Sequence, residues 1–232
     1  SAWHNVGIIV VINIKELSKM IVKNLIYIIN QSLPYRIRFG YIRGLIFWWS
    51  VRRDYKLKHG TLYNVTVPGL LSHVLLRAGT SDLTVFRQIV CSGEADFNLG
   101  FEPRFIIDAG ANIGLSSIVI AARHPNCQII ALEDDDSNFE LLRQNVACYA
   151  NVTPVKKALW GADGYVKISN PTAEPWAFRV VEAKEDDPDA VEAVSLGTLL
   201  AERCGNEISL LKLDIEGAEL DLLQGVTSNW IE

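Results

Sequence analysis

Apolar runs of strand length alternate with apolar positions at helical spacing through the middle of the chain. Between residues 104 and 156 this alternation predicts a strand over 104–108, a helix over 114–124, a strand over 128–132, a helix capped by Ser137 and a strand over 152–156. Strands that alternate with helices are typical of a parallel sheet. The pattern therefore predicts an α/β fold of the doubly wound, mostly parallel, Rossmann-like class.

The pattern changes after residue 157. Residues 158–169 favour a β-hairpin with Ala162-Asp163-Gly164 as its turn, and the proline-rich, acidic residues 170–190 favour a surface loop. A helix over 196–204, a strand over 208–213 and a helix from 217 to about 223 are predicted after that loop.

The first hundred residues carry weaker signals. Apolar residues at helical spacing predict a helix over 11–30 that Pro34 stops. A short strand is predicted over 61–67. Thr80 or Ser81 is placed to cap a helix that continues to Val90.

Charge divides the chain more sharply than its apolar pattern does. The whole chain carries a net charge of −5, yet residues 1–60 hold ten basic and two acidic residues, a net charge of +8, which leaves −13 for the remainder. This boundary predicts a basic, apolar, mainly helical N-terminal extension over 1–60 and an acidic domain over 61–232. Because such a domain repels phosphates, we expect no nucleic acid partner.

The N-terminal extension has two interpretations. Its apolar runs, residues 7–14 and 44–51, are shorter than the ~20 residues that span a bilayer. A peripheral contact with the inner face of a membrane would suit its aromatic and basic residues, namely Phe47, Trp48 and Trp49 beside Arg52 and Arg53. The alternative is a helical cap packed on the domain or across a dimer. No signal peptide is evident and the four cysteines lack metal-ligand or redox spacing, so we expect a cytoplasmic protein with free thiols.

The most specific motif is the segment 105–114, Phe-Ile-Ile-Asp-Ala-Gly-Ala-Asn-Ile-Gly. An apolar strand ends at a carboxylate, Asp108, and two glycines four residues apart, Gly110 and Gly114, precede a helix. Backbone approaches a ligand closely only where side chains are absent. The turn therefore predicts a nucleotide-like cofactor at the carboxyl end of the strand.

NAD and S-adenosylmethionine are the two cofactors to weigh at this turn. The dinucleotide fingerprint G-x-G-x-x-G is absent, since Asn112 stands between glycines of a different spacing. Asp108 would repel a pyrophosphate, whereas it can order the cationic amino group of a methionine moiety, directly or through water. S-adenosylmethionine carries a sulfonium and an ammonium group, and the acidic residues favour it.

Two further carboxylates follow predicted strands. Glu133 comes at the end of the strand over 128–132, where a carboxylate can accept hydrogen bonds from both hydroxyls of a ribose. Asp214 ends a later strand. Because parallel strands place their carboxyl ends at one sheet edge, we expect Asp108, Glu133 and Asp214 to form one acidic pocket. The alternative is that Asp214 is only a charge near a helix start, which the helix dipole favours.

Taken together, these motifs resemble the FkbM-type methyltransferases. The resemblance is carried by Asp108-Ala-Gly-Ala-Asn-Ile-Gly114, Glu133 with Asn138-Phe-Glu-Leu-Leu142, Ala158-Leu-Trp-Gly161 and Lys212-Leu-Asp-Ile-Glu-Gly-Ala-Glu219. Upstream, Arg77-Ala-Gly-Thr-Ser-Asp82 resembles the segment that leads that family's catalytic domain. The resemblance covers about residues 77–225. It implies a class I methyltransferase fold and an S-adenosylmethionine-dependent enzyme that O-methylates hydroxyls of sugars, polyketides and similar metabolites.

The resemblance also implies roles for individual residues. The methionine end of the cofactor would be held by Asp108, Gly110, Ala111, Asn112 and Gly114, its ribose by Glu133, and its adenine would be flanked by Asp134 or Asp135 and the Ala158-Leu159 turn. Asp214 and Glu216 would face the transferring methyl group and the acceptor, which makes them the candidate general bases ahead of His73 and His124. Carboxylates without a histidine make a weak metal site, so no metal is expected.

Three functions remain open at this point. The first is O-methylation of a hydroxyl on a sugar, a polysaccharide precursor or a secondary metabolite. The second is an NAD-dependent oxidoreductase on a similar fold. The third is a degenerate, membrane-tethered module that binds the cofactor without activity. The third gains from the resemblance itself, which predicts strands beyond Glu232 and hence a sheet that is truncated at its C-terminal side.

Overall fold

The computed structural model describes residues 14–52, 56–170, 180–202 and 208–215. Contacts divide the chain into two compact units, residues 1–50 and 51–232, and each has its own architecture. Glu216 and the predicted helix over 217–223 lie outside the described residues.

The first unit is a pair of helices. α1 (Ile14–Phe39) ends at Gly40, whose φ of 81° is the left-handed conformation that commonly ends helices, and α2 (Tyr41–Val51) follows at once. The prediction that Pro34 stops the first helix is wrong. A proline removes one backbone donor, and a helix of 26 residues keeps enough hydrogen bonds on both sides to run through it.

Close approach and aromatic packing hold these two helices together. A Cβ atom at Gly44 would collide with the carbonyl oxygen of Tyr35, so only glycine allows the approach. The ring of Phe47 makes edge-to-face contacts with Tyr35 and Phe39, at centroid distances of 5.6 and 5.1 Å. Tyr35, Phe47 and Trp48 are buried. The prediction that Phe47 and Trp48 lie at a membrane interface is therefore wrong, whereas Trp49 is exposed.

The second unit begins with a hairpin and a short helix. β1 (Leu62–Thr66), close to the predicted strand, pairs antiparallel with β2 (His73–Arg77), and α3 (Asp82–Phe86) continues into a π-helical turn. Of the two predicted caps, Thr80 is the one used. Its Oγ1 accepts the backbone N–H of the first helical residue at 3.2 Å, whereas Ser81 makes no side-chain cap hydrogen bond.

The remaining elements form two sheets with three helices. In chain order they are β3 (Phe105–Ala109), α4 (Leu115–Arg123), β4 (Gln128–Leu132), α5 (Asp136–Val146), β5 (Val152–Val155), β6 (Ala158–Trp160), β7 (Gly164–Ile168), β8 (Val180–Ala183), β9 (Val191–Ser195), α6 (Leu196–Glu202) and β10 (Leu210–Leu213).

The central sheet is parallel, with the strand order β10-β3-β4-β5. Every residue of β3 is buried, as expected for a strand covered on both faces. On one face, Phe105 and Ile107 join a core cluster with Leu159 and Leu199 from β6 and α6. α4 and α5 pack against β4 and β5. The predicted Rossmann-like α/β fold with a parallel sheet is confirmed.

The second sheet corrects two predictions. Its order is β6-β9-β7-β8, with β9 parallel to β6 and antiparallel to β7. The hairpin predicted over 158–169 is therefore wrong, because β9 lies between its two strands. The loop predicted over 170–190 is wrong in part, since β8 lies inside it. These strands are short and mixed in burial, so their apolar pattern does not identify the pairing partner.

The start of α5 also differs from the prediction. Asp135, not Ser137, is the N-cap, and its side chain accepts the backbone N–H of Asn138 at 2.8 Å. Ser137 lies in the first turn of the helix, where its hydroxyl accepts a hydrogen bond from Arg77. Aspartate and serine are about equally good N-caps, so the sequence alone does not separate them.

Candidate functional site

The parallel strands bring the predicted acidic residues to one edge of the central sheet. Asp108 is the fourth residue of β3 and lies in register with Lys212 of β10. Glu133 directly follows β4 and continues its pairing by donating its backbone N–H to Val155. Asp214 directly follows β10, and its N–H donates to Ala109 at 3.0 Å. The three carboxylates therefore stand on neighbouring strand ends, as the sequence predicts.

The glycine turn between β3 and α4 is built from left-handed residues. Gly110, Asn112 and Gly114 have φ values of 72°, 52° and 87°. A Cβ atom at Gly110 would collide with the carbonyl oxygen of Asp214, and one at Gly114 would lie 2.7 Å from Leu142 Cδ1. Only glycine allows the end of β10 to pass so close to the turn.

Asp108 is fully buried beneath this turn. Its Oδ2 accepts a hydrogen bond from Ser117 Oγ at 2.7 Å, and its Oδ1 lies 3.0 Å from Lys212 Nζ. Apart from that ion pair, Oδ1 has no hydrogen-bond partner among the described residues. The Asp108 carboxylate thus contacts Ser117 and Lys212 and is shielded from solvent, and its contact with the cofactor stays a prediction.

Lys212 is a site residue that the sequence reasoning missed. Its ammonium group lies between two carboxylates, 3.0 Å from Asp108 Oδ1 and 3.7 Å from Asp214 Oδ2. A single cation inside the otherwise apolar strand Leu210–Leu213 was the available signal, because a charge on a strand of a central sheet requires a partner.

Glu133 is buried and already well supplied with donors. Oε2 accepts the backbone N–H of Asn112 at 2.7 Å, while Oε1 accepts from Asn138 Nδ2 at 3.1 Å and from the backbone N–H of Asp135 at 3.3 Å. A carboxylate has about four acceptor sites, so roughly one remains for a ligand. Burial raises the pKa of Glu133, and the donors from Asn138 and Asn112 offset part of that rise.

Asp214 contrasts with the other two carboxylates. Its side chain is 71% exposed, and Lys212 is its ion-pair partner. It stands at the open end of the sheet edge, where an incoming molecule can reach it. Glu216, the second predicted catalytic residue, lies outside the described residues.

The residues expected beside an adenine are not arranged as a turn. Ala158 and Leu159 belong to β6, and the Leu159 side chain is part of the core. The predicted Ala158-Leu159 turn is therefore wrong. Asp135 is occupied as the cap of α5, whereas Asp134 is exposed beside Glu133. Of the residues predicted for the adenine, only Asp134 keeps an exposed side chain without a capping role.

The two histidines considered as bases lie elsewhere. His124 is the C-cap residue of α4, at the end opposite the glycine turn, and its Nδ1 lies 3.0 Å from Glu102 Oε2. His73 is hydrogen-bonded to Thr66 in the hairpin of β1 and β2. Neither histidine belongs to the sheet edge that carries the carboxylates.

The sheet edge fits a cationic nucleoside cofactor such as S-adenosylmethionine. The turn has no side chain at Gly110 or Gly114, Glu133 retains an acceptor site, and Asp214 presents an exposed negative charge. We expect the Gly110 to Gly114 backbone and Glu133 to hold such a cofactor, with Asp108 and Lys212 supporting the turn from below.

Comparison with known proteins adds an independent finding. Residues 108–232, more than half of the chain, match the family described as Methyltransferase FkbM domain. Methyltransferase sdnD of Sordaria araneosa is 30% identical over an alignment of 162 residues, and the match covers 56% of this chain and 62% of that protein. Methyltransferase 1 of Beauveria bassiana (strain ARSEF 2860) is 28% identical over an alignment of 145 residues, and the match covers 53% of this chain and 58% of that protein. The chain thus spans about three fifths of the length of these relatives.

Solved structures show only partial similarity. The S-adenosylmethionine-dependent methyltransferase from Agrobacterium tumefaciens superposes with a TM-score of 0.35 at 13% identity, over 45% of this chain and 34% of that one. M. jannaschii TYW2 in complex with AdoMet gives a TM-score of 0.31 at 12% identity, over 59% of this chain and 84% of that one.

Proposed function

We propose that this chain, which belongs to the FkbM methyltransferase family, transfers a methyl group from S-adenosylmethionine to a hydroxyl group of a sugar, a polysaccharide precursor or a secondary metabolite. One observation carries the proposal. The glycine turn, the buried Glu133 and the exposed Asp214 lie on the adjacent ends of three parallel strands. Binding groups and an exposed carboxylate thus share one sheet edge.

S-adenosylmethionine supplies, when bound, a methyl group on a positively charged sulfur. The predicted cofactor agrees with the family match, and the NAD-dependent alternative has no support from it. The residues that would hold the cofactor are the backbone from Gly110 to Gly114 and the carboxylate of Glu133. Orientation of the two reactants supplies the larger part of the acceleration in such a transfer, up to ~7–11 kcal/mol for an ideal alignment.

Asp214 is the candidate general base. When bound, the sulfonium of the cofactor would supply the methyl group and leave as a neutral thioether, and a carboxylate oxygen of Asp214 would accept the proton of the acceptor hydroxyl. Lys212, held 3.0 Å from Asp108, keeps a positive charge 3.7 Å from Asp214 and so orients that carboxylate.

A hydroxyl acceptor fits the electrostatics of this domain. Residues 61–232 carry a net charge of −13, which disfavours phosphorylated and other anionic acceptors. A neutral polyhydroxylated molecule escapes that repulsion, and carboxylates are good acceptors for hydroxyl groups. This supports a sugar or a neutral metabolite as the acceptor class.

The proposal is tested with the purified protein, S-adenosylmethionine carrying a labelled methyl group and a panel of neutral sugars and phenols, together with amines and carboxylic acids of similar size. We expect formation of S-adenosylhomocysteine together with a labelled ether product that resists mild base, which distinguishes an ether from a methyl ester. Labelling confined to amines or carboxylates would contradict O-methylation of hydroxyls. Calorimetric binding of the cofactor without turnover on any acceptor would support the degenerate binding module instead.

A further inference from the structure

A hydrogen-bonded chain of side chains links the hairpin of β1 and β2 to Glu133. It starts at Arg77, the last residue of β2. Asp82, which is buried, accepts from Arg77 Nε at 2.9 Å, from Nη2 at 2.8 Å and from the Arg77 backbone N–H at 2.8 Å. This paired contact fixes the plane of the guanidinium group, since two parallel N–H···O bonds leave it little freedom to rotate.

The outer edge of the same guanidinium group points to the start of α5. Nη1 donates to Ser137 Oγ at 2.8 Å, and Nη2 donates to Asn138 Oδ1 at 2.7 Å. Asn138 in turn donates from Nδ2 to Glu133 Oε1 at 3.1 Å. Arginine can only donate and an ionised carboxylate can only accept, so the orientation of the Asn138 amide is dictated by its two neighbours.

We propose that Arg77 is a positioning residue of the cofactor site, which acts through Asn138 to hold Glu133 in its binding orientation. Arg77 lies upstream of the matched family region, residues 108–232, so the match does not assign it a role. The chain of contacts from Asp82 through Arg77 and Asn138 ends at Oε1 of Glu133. The other oxygen of this carboxylate accepts the backbone N–H of Asn112 in the glycine turn. This inference rests on the proposed function, because it concerns how the cofactor is held.

Arg77 and Asn138 constrain Glu133 on one side, and the backbone of Asn112 constrains it on the other. With both oxygens fixed, the remaining acceptor site keeps a constant direction. Loss of the Asn138 amide would take away the side-chain donor to Oε1, so the carboxylate would no longer be held in one orientation. The expected consequence is weaker cofactor binding with little change in the chemical step.

Asn138→Asp tests this inference most sharply. The new carboxylate keeps a partner for Arg77 and suits the first turn of α5, where the helix dipole favours negative charge. It cannot donate to Glu133 and repels it instead. We expect the melting temperature to be maintained, while calorimetry with S-adenosylhomocysteine shows affinity at least roughly tenfold weaker, the equivalent of one lost charge-assisted hydrogen bond. The kcat at saturating cofactor should change less than about twofold.

A double-variant cycle separates positioning from a merely structural role. Arg77→Lys and Asn138→Ala should each weaken S-adenosylhomocysteine binding, and the double variant should be no weaker than Asn138→Ala alone. Arg143→Lys, which alters an exposed pair with Glu140 on the same helix, is the matched control and should bind like the parent.

The outcomes are distinct from those for the proposed function. If the parent protein does not bind S-adenosylhomocysteine, both the proposed function and this inference are lost. If the parent binds but Asn138→Asp binds equally well, or the losses in the cycle add, only the positioning role of Arg77 is contradicted.

A second inference comes independently from the helical unit, residues 1–50. An apolar surface is exposed on both helices, at spacings of mostly three or four residues. It comprises Val22, Leu25, Ile26, Ile29, Leu33 and Ile37 of α1 and Tyr41, Ile42, Leu45, Ile46 and Trp49 of α2. An uncovered apolar surface of this extent normally contacts a partner. None of the described helices combines the length and the apolar content that a bilayer-spanning segment needs.

Charge indicates which partner the apolar surface takes. Residues 1–50 hold six basic residues and a single acidic one. Two copies of this unit facing each other would bring those positive charges together, whereas an anionic lipid surface attracts them. We infer that the apolar surface lies in the interface of a membrane that contains anionic lipids. Trp49 and Tyr41 suit that depth, because their rings are apolar with a polar edge.

Sedimentation with vesicles tests this docking surface. The protein should pellet with phosphatidylcholine vesicles that contain phosphatidylglycerol and much less with phosphatidylcholine alone. Ile46→Glu should lower the membrane partition coefficient, obtained from the pelleted fraction, roughly tenfold. This corresponds to the free energy of burying one large apolar side chain. Leu71→Glu is the matched control, since Leu71 is equally exposed outside this unit. Equal pelleting with both vesicles, no effect of Ile46→Glu, or a dimer that Ile46→Glu dissolves would overturn the inference.

Discussion

The carboxylates at the two ends of the candidate site differ in burial and in hydrogen bonding. At the end of β4, Glu133 is buried and accepts three hydrogen bonds from the protein. At the end of β10, Asp214 is mostly exposed and has an ammonium group at 3.7 Å. A buried, immobile carboxylate with one remaining acceptor site suits recognition of a fixed partner, while an exposed carboxylate can exchange protons with an incoming molecule. We therefore propose that the end of β4 binds the cofactor and that the end of β10 takes part in the chemistry.

Asp214→Asn is expected to separate the chemical step from cofactor binding most strongly. The amide keeps the shape of the side chain but does not take up a proton. We expect kcat to fall about 10²–10⁴-fold, the usual contribution of a general base, with S-adenosylhomocysteine affinity within about threefold of the parent. Steady-state kinetics and calorimetry on the same preparation measure both quantities. Asp186→Asn, at another exposed aspartate, is the control.

If Asp214→Asn leaves kcat unchanged, the base lies elsewhere. Glu216 is then the next candidate, because it was predicted at the same strand end. A loss of affinity larger than the loss of kcat would instead reverse the assignment of the two ends.

Gly110→Ala is expected to damage both ends together. Its φ of 72° is unfavourable for alanine, and its Cβ atom would collide with the carbonyl oxygen of Asp214. Strain and overpacking of this kind lower the free energy of unfolding by about 2–4 kcal/mol. Urea denaturation measures the loss, and S-adenosylhomocysteine binding should weaken with it.

The control for that substitution is Gly60→Ala. Gly60 has a similar φ of 77°, but a Cβ atom there would meet nothing within 4 Å. We expect a loss of only about 1–2 kcal/mol from the backbone conformation. Equal losses at the two glycines would mean that the close approach to β10 does not matter.

Only part of the difference between Glu133 and Asp214 could be predicted from the sequence. The apolar alternation and the residues Asp108, Glu133 and Asp214 predicted three carboxylates on one sheet edge, because parallel strands impose that position on whatever follows them. Burial could not be predicted in the same way. It depends on contacts between distant parts of the chain, such as those of Lys212 with Asp108 and of Arg77 in the hairpin with Asn138.

The same limit explains the errors in the fold. Pro34 was expected to end α1, because local propensity was weighed without the length of helix on either side. β6 and β7 were expected to pair, because a turn lies between them and the strand that separates them comes later in the chain. Local signals located the strands, and long-range pairing decided their neighbours.

A smaller effect is expected from Glu133→Ala. The substitution removes the carboxylate that accepts hydrogen bonds from Asn112 and Asn138 and that keeps one acceptor site for the cofactor. We expect S-adenosylhomocysteine affinity to fall at least roughly tenfold, about the value of one charge-assisted hydrogen bond, with kcat at saturation little changed. Calorimetry measures the affinity. An affinity close to that of the parent would show that Glu133 does not bind the cofactor.

The mildest test of the binding end is pH. Burial raises the pKa of Glu133, with its hydrogen-bond donors offsetting part of the shift. As the pH falls through that raised value, Glu133 takes up a proton and loses acceptor capacity, so cofactor affinity should decline on the acid side. The charged groups around it are Asp82, Asp134, Asp135 and Arg77, and a Glu133→Gln variant leaves all four unchanged.

Stability should move in the opposite direction to affinity. A carboxyl group whose pKa is higher in the folded than in the unfolded protein destabilises the fold when ionised, and that cost is relieved as the pH falls through the folded-state value. Against Glu133→Gln, which does not titrate, the parent should therefore gain relative stability and lose relative affinity over the same acid interval. Calorimetry and urea denaturation across that interval measure the two trends. If both declined together, Glu133 would be acting as a structural carboxylate, and the binding end of the site would have to be sought at Asp214.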